Sequence, residues 1–363
     1  MLDRVALRSF RNHRDTMLVG ARRLNLLVGE NGAGKTNVLE AVSLLAPGRG
    51  LRRAALPEMA AEGTGGGFAI SARLAQADAD PVQLGTGTSP DQPGRRLVQV
   101  NGATASAAQL GEWLAIAWLT PAMDRLFADS AGARRRYMDR LALALQPGHA
   151  TLAARHERAL RERNRLLSAE AMPEARWLDA VEAQLAETGA ALANARAMLV
   201  ERLAAALATM PNAPFARPTL AYRPGGPLTA EALVAELARG RARDRAAQRT
   251  LVGPQRDDLQ VTHSAKAMPA ALSSTGEQKA MLIALTLAHA GLLSGGSAGD
   301  RPGVLLLDEV AAHLDPMRRD ALFDLLRDFA GQVWLTGTEA SPFAGIMSDA
   351  AGWQVTAGAA TPL

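Results

Sequence analysis

The chain has no cysteine among its 363 residues. That excludes disulfides, thiol catalysis, iron–sulfur clusters and zinc sites built on cysteine. Aromatic residues are scarce, with five Trp, two Tyr and seven Phe, so platforms for stacking single-stranded bases are few. No stretch offers about 18 uninterrupted apolar residues, so no membrane-spanning helix is expected. The apolar run Met281–Leu293 is too short for that and reads as a core helix. The first ten residues carry Asp3, Arg4 and Arg8 and have no apolar centre, unlike a secretory signal. These absences fit a cytoplasmic protein without a membrane partner. A marked excess of one charge is also missing. Forty basic residues against 36 acidic ones leave a formal charge of +4, which is compatible with nucleic acid but does not argue for it. His13, His149, His156 and His313 show no metal-ligand spacing.

What is present is an ordinary globular composition, 48% hydrophobic and 21% charged, in a chain long enough for two lobes. Arg23–Val28 is apolar and ends in a glycine-rich turn, and Thr36–Leu45 places Val38, Leu39, Val42 and Leu45 at helical spacing. Gly67–Leu74 and Arg95–Val100 alternate like strands, and Asn101-Gly102 signals a tight turn. Asp78–Gly94, rich in Pro, Gly, Thr and Asp, reads as an exposed loop. From about Asp129 the chain turns to Ala, Leu, Arg and Glu, which predicts helices over Gly132–Leu145, Gly148–Ser168 and Pro173–Met210. The last would be about 57 Å long if unbroken, and a pair of such helices makes an antiparallel arm. Pro211–Gly226, with four prolines, closes this region, and Leu228–Arg249 reads as one more helix. The α/β pattern then returns, with strands at Asp258–Thr262, Gly303–Leu307 and Gln332–Thr336 and helices at Leu282–Leu293 and Pro316–Phe329. The simplest account is an α/β fold, one lobe from residues 1–118 and 250–363, split around a helical lobe at 119–249.

Gly29-Glu30-Asn31-Gly32-Ala33-Gly34-Lys35-Thr36 matches G-x-x-x-x-G-K-[ST] between an apolar segment and a helix, the context this phosphate-binding motif requires. The glycines let backbone N–H groups point at a phosphate, and the helix N-terminus favours its charge. Lys35 neutralises β/γ oxygens, and Thr36 offers a hydroxyl to Mg²⁺. The plain alternative, a glycine-rich turn with a chance lysine, does not account for the flanking strand and helix. Val304–Leu307 followed by Asp308-Glu309 puts carboxylates at the end of a buried strand. Asp308 is expected in the Mg²⁺ shell and Glu309 as the group that orients or deprotonates water. Asp315 reads as the N-cap of the helix starting at Pro316. Leu272–Lys279, containing Ser274 and Gly276, is by itself an N-cap with a small-residue turn.

In a chain with a phosphate loop, Leu272–Lys279 resembles the signature sequence of ABC-type ATPases, and the order of loop, signature, Asp-Glu and Asp315 is theirs. Leu7–His13 resembles the first strand of SMC and RecF heads. Gly253-Pro254-Gln255-Arg256-Asp257-Asp258-Leu259 resembles a RecF-family hallmark, with Gln255 where that family has His. Leu119-Thr120-Pro121 and Arg134-Arg135-Arg136-Tyr137-Met138-Asp139-Arg140 are similar to that family's proline turn and triple-arginine helix. The resemblance implies a P-loop ATPase head of ABC type with an inserted helical arm. It implies Ser274 and Gly276 on the γ-phosphate of ATP held by a second subunit, a nucleotide contact from Arg11, and Asp315 near the nucleotide. It further implies an ATP-dependent homodimer that binds DNA at single-strand gaps and works with RecR- and RecO-type mediators to load recombinase, with ties to replication and the SOS response. Thr338 stands where ABC ATPases carry a switch histidine, which suggests slow hydrolysis. Another SMC-like ATPase acting as an ATP-gated scaffold is the alternative.

Arginines cluster. Arg155, Arg158, Arg161 and Arg165 fall within about 120° of one helix face. Arg134, Arg135, Arg136 and Arg140 form a second group, Arg49, Arg52 and Arg53 follow the phosphate-loop helix, and Arg22 and Arg23 precede its strand. Such clusters attract phosphate backbones without reading sequence. The bland reading of the arm is a solvated face with Glu157 and Glu162 as partners.

Overall fold

The computed structural model describes residues 1–76, 79–171, 173–211, 213–294, 301–311 and 314–363, so His313 lies outside the described residues. Along the chain the strands are β1 (Leu2–Phe10), β2 (His13–Val19), β3 (Leu24–Val28), β4 (Phe68–Leu74), β5 (Val82–Ser89), β6 (Gln92–Val100), β7 (Ala103–Thr104), β8 (Ala115–Leu119), β9 (Pro218–Arg223), β10 (Asp258–His263), β11 (Met268–Pro269), β12 (Gly303–Leu307), β13 (Gln332–Gly337), β14 (Ala350–Thr356) and β15 (Ala359–Pro362). The helices are α1 (Lys35–Ser43), α2 (Leu56–Met59), α3 (Ala107–Trp113), α4 (Ala131–Leu145), α5 (His149–Leu167), α6 (Ala175–Thr209), α7 (Ala230–Arg239), α8 (Arg241–Ala246), α9 (Thr275–Ser294) and α10 (Pro316–Asp328). They divide into two compact units. The first comprises Met1–Asp124, Pro211–Phe215 and Thr286–Leu363; the second comprises Arg125–Met210 and Ala216–Leu285.

The first unit holds two six-stranded sheets. One, ordered β15-β14-β3-β13-β12-β8, is parallel from β14 to β8. Strands β3, β8 and β12 are buried at every position, as continuous apolar runs in a parallel sheet should be. The other, ordered β2-β1-β4-β5-β6-β7, is antiparallel. Trp334 and Trp353 stack at 5.7 Å in the core. The exposed loop expected over Asp78–Gly94 is instead mostly strand. Val82, Leu84, Thr86 and Thr88 point inward from β5, and only the turn to β6 is loop-like. Its glycines disguised the strand: a Cβ on Gly87 would lie 2.1 Å from the Phe68 carbonyl oxygen of β4.

The second unit packs α4 to α8 and the start of α9 with the antiparallel sheet β11-β10-β9. It reaches past the 119–249 boundary read from sequence, to Leu285, because β10 pairs with β9 along its whole length. Strand β9 itself lies in the proline-rich stretch read as a closing segment. Helix α6 has 35 residues and lies against α5 as the expected hairpin, with Ala159, Leu185, Ala186, Leu233 and Leu237 in one apolar cluster. The single helix expected over Leu228–Arg249 is broken at Gly240 into α7 and α8. The reason is a buried cation. Arg163 of α5, fully buried, donates to the Leu237 carbonyl, to Asp244, to Glu182 and to Thr250, and the bend brings those acceptors to one point.

Candidate functional site

The phosphate loop follows β3 at the carboxyl edge of the parallel sheet, where open α/β sheets place their ligands. Two glycines make its path possible. Gly29 and Gly34 have φ of +156° and +120°. A Cβ on Gly29 would lie 2.2 Å from the Val355 carbonyl oxygen, and one on Gly34 would lie 2.7 Å from His13 Nε2. Gly34 is also the N-cap of α1 and makes no side-chain cap; its carbonyl takes the Asn37 and Val38 N–H groups, and the N–H groups of Lys35 and Thr36 are the ones placed for an anion. Lys35 is nearly fully buried. Its ammonium donates to the carbonyls of Gly29 (2.7 Å) and Glu30 (3.0 Å) and lies 3.9 Å from Glu309. The lysine is thus folded across its own loop, at the mouth of the cradle.

Register explains the rest. Val28 of β3 pairs with Gly337 of β13, and Leu335 of β13 with Leu307 of β12, so the residue after Leu307 emerges beside Thr336. Asp308 accepts from the Thr36 hydroxyl at 2.9 and 3.1 Å and from the Thr336 hydroxyl at 2.9 Å. Thr336 Oγ1 in turn accepts the Glu309 N–H at 2.8 Å. Glu309 has φ of +51°, a costly conformation for a non-glycine residue, and such residues cluster at functional sites. Burial raises the Asp308 carboxyl above its ordinary value; the Thr336 and Thr36 hydroxyls oppose that rise, and the neighbouring Glu309 adds to it. The Asp308 carboxyl and the Thr36 hydroxyl that meets it are hard oxygen donors, the kind a small divalent cation such as Mg²⁺ takes. The sequence pointed to Thr338 at the switch position; the threonine that reaches the carboxylates is Thr336, two residues earlier.

Two hairpins brace the loop. From the β1–β2 turn, Asn12 donates to the Ala33 carbonyl at 2.9 Å and His13 Nε2 meets the Gly34 carbonyl at 3.0 Å. The second His13 nitrogen meets Thr16, whose hydroxyl donates to the Gly358 carbonyl. Burial lowers the His13 imidazole, against the Gly34 and Gly358 carbonyls that favour its charged form. From the β14–β15 hairpin, the Gly358 N–H donates back to Ala33. Sequence reading did not assign these braces, because they join the loop to a separate hairpin 21 positions away and, through Thr16 and Gly358, segments 342 positions apart.

Several predicted residues have other engagements. Arg11, expected at the nucleotide, forms a two-bond ion pair with the fully buried Glu40 at 2.8 and 2.9 Å and donates to the Glu58 carbonyl. Arg52 pairs with the same Glu40 at 2.8 Å, and Arg53 is exposed in a left-handed conformation. Arg134 grips both oxygens of Asp258 at 2.7 and 2.8 Å, and Arg135 donates to the Asp257 carbonyl. The arm is divided: Arg155 and Arg158 are exposed, while Arg161 pairs with Glu157 and Arg165 with Glu162. Thus the charges of Arg134 and Arg52, read as DNA contacts, are neutralised by acids of their own unit. Asp315 caps α10 through the Arg318 N–H, as expected. Ser274 and Glu277 form a reciprocal cap at the start of α9. Lys266, with the Ser274 N–H and hydroxyl, holds Glu277 down to about 2. Ser274 and Gly276 are both exposed, and a Cβ on Gly276 would meet nothing within 4 Å. Gln255, in place of the family's histidine, donates to the Val252 carbonyl at 2.7 Å and tightens its own turn.

Comparison with known proteins agrees with this architecture. The family model described as RecF/RecN/SMC N terminal domain matches residues 1–346. The chain is 49% identical to the DNA replication and repair protein RecF of Mesorhizobium japonicum, over 96% of this chain and 94% of that one. It is 45% identical to RecF of Brucella suis, over 99% and 97%. A solved structure of the recombination mediator protein RecF with ATPrS, from the RecFOR pathway, superposes with a TM-score of 0.88 over 100% of this chain and 98% of that one, at 23% identity. An Smc head domain with an extended coiled coil from Pyrococcus furiosus matches at 0.55 over 100% and 95%, at 16% identity. The ABC-type head read from the motifs is therefore the fold, and the chain belongs to the RecF family of DNA replication and repair proteins.

Proposed function

We propose that this chain is an ATP-gated DNA-binding protein of recombinational repair. ATP lies on the 29–36 loop, and a second copy closes over it to give a dimer that holds DNA at single-strand gaps. RecR- and RecO-type mediators then act there to load recombinase. The observation that carries the reading is the meeting of Thr36 with Asp308 at the mouth of the phosphate loop. Thr36 and Asp308 would hold Mg²⁺, which supplies charge neutralisation at the β/γ-phosphates. In the closed cradle the first-turn N–H groups of α1 bind phosphate oxygens, and the Lys35 ammonium exchanges its loop carbonyls for them. Glu309, fixed by Thr336, orients a water or takes its proton. The sequence carries no histidine after Thr336, where ABC ATPases have their switch histidine, which supports slow turnover.

Ser274 and Gly276 support the shared-site reading. Among the described residues nothing requires a glycine at 276, and Leu272 beside them is 71% exposed. That arrangement suits a surface closing on the ATP of a second copy. The test is retention of a gapped duplex by fluorescence anisotropy with ATP, with ADP and with neither. Tight binding only with ATP supports the proposal; equal binding in all three contradicts the gating.

A further inference from the structure

The turn Gly253–Asp258 commits nearly all its polar groups to the interior of the second unit. The Gly253 N–H donates to the Gly225 carbonyl, and the Gly225 N–H to Asp257 at 2.8 Å. Asp257 also accepts from the Tyr222 hydroxyl and from Arg196, which binds Asp139 with its other nitrogens. Asp258 is taken by Arg134. Two backbone segments touch here, since a Cβ on Gly225 would lie 2.5 Å from both the Gly253 carbonyl oxygen and Arg256 Cβ. What this scaffold sends outward is the exposed side chain of Arg256.

Arg256 is not alone. Arg135 joins the same turn through its bond to the Asp257 carbonyl at 2.7 Å. From there it reaches the start of α4, where Arg135 and Arg136 lean back over Gly132. A Cβ at that glycine would lie 3.3 Å from Arg136 Nη1 and 3.6 Å from Arg135 Nη2, so both guanidinium groups lie over the same glycine. Both stand one turn from a helix N-terminus, where the dipole disfavours cations. The Arg135 guanidinium is lowered by burial and by Arg196, with Arg256 adding to the effect against the pull of Asp258 and Asp257. The nearby carboxylates cannot relieve this, because Asp139 and Asp257 are held by Arg196 and Asp258 by Arg134. Among the described residues, neither Arg136 nor Arg256 has a salt-bridge partner.

We propose that Arg136 and Arg256, linked by Arg135, form a phosphate-binding site for the backbone of nucleic acid on the second unit. Each guanidinium presents a planar fork matched to phosphate oxygens. A phosphate seated over Gly132 would meet both Arg135 and Arg136. The inference rests on the DNA-binding reading above and moves its centre from the paired arginines, Arg134 and Arg52, to unpaired ones.

The test is the double substitution Arg136→Gln and Arg256→Gln, which leaves the structural bond of Arg135 intact. Binding of a gapped duplex with ATP is followed by anisotropy through a salt series. Two lost contacts should flatten the slope of log K against log salt by about 1.8, at roughly 0.9 per phosphate, with a thermal midpoint equal to the parent's because both side chains are exposed. Arg136→Lys with Arg256→Lys should keep the slope and weaken binding, since charge remains and the fork does not. A parent that binds DNA and a glutamine variant with an unchanged slope would overturn the site while leaving the DNA-binding reading intact. A parent that binds no DNA would overturn both.

Discussion

The two units use charge in opposite ways. In the first, few charged side chains sit at the candidate site, and the backbone does most of the shaping: glycine φ angles, the start of α1, and carbonyls gathered by His13, Asn12 and Gly358. In the second, charge is the internal scaffold. Arg163, Glu182 and Asp244 are fully buried together, and Arg196 joins Asp139 to Asp257. The contrast teaches that arginine density alone does not locate a nucleic-acid surface. Here Arg134, Arg163 and Arg196 are committed to the scaffold of their own unit.

The comparison can be broken at its strongest points first. If the first unit holds a site of ABC type, Glu309→Gln should lower ATP hydrolysis by roughly 10²–10⁴-fold, the range for a lost general base, while calorimetry finds ATP binding retained. If charge is scaffold in the second unit, Arg163→Ala leaves Glu182 and Asp244 without their central cation and should cost about 3–5 kcal/mol, read as a lower denaturant midpoint of the helical signal. The same substitution should leave ATP affinity unchanged.

A smaller effect sharpens the same claim by pH. Burial alone would raise the Asp139 carboxyl, yet hydrogen bonds from His149 and Arg196 hold it down to about 2. A depressed acid contributes stability above its unfolded value near 3.8 and loses it as pH falls toward 2. At pH 7 that contribution is about 2 kcal/mol, the linkage of a shift of this size. Asp139→Asn should lower stability near neutrality and flatten the acid limb of the unfolding curve; an unchanged limb would remove Asp139 from the scaffold. The smallest expected effect returns to the first unit. Lys35→Ala should weaken ATP about tenfold or more, about 1.4 kcal/mol, by isothermal titration, without altering the helical signal.

The candidate site was largely legible because its pattern is local: eight consecutive residues define the loop, and Asp308-Glu309 follow an apolar strand. What escaped was long-range. Thr336 is found only by knowing that β13 lies between β3 and β12, and the Gly358 brace only by knowing where the chain's last hairpin folds back. Strand β5 escaped for another reason, since its glycines answer to the approach of β4 and mimic a loop in composition. The helical arm was legible from periodicity, but its charges were not. Arg163 and Arg161 differ by two positions, and one is fully buried while the other is solvated beside Glu157. Helical phase separates such residues only once the partner helices are known.

The central claim is that ATP on one loop is completed by the signature segment of a second copy. Light scattering with ATP tests it most directly, on the Glu309→Gln protein with and without Ser274→Arg. The account predicts a doubled mass for Glu309→Gln, where ATP persists, and a single-chain mass once Ser274→Arg places a bulky cation where the partner's γ-phosphate must enter. A double variant that still doubles its mass with ATP would contradict the shared site, even with the fold and the phosphate loop as described.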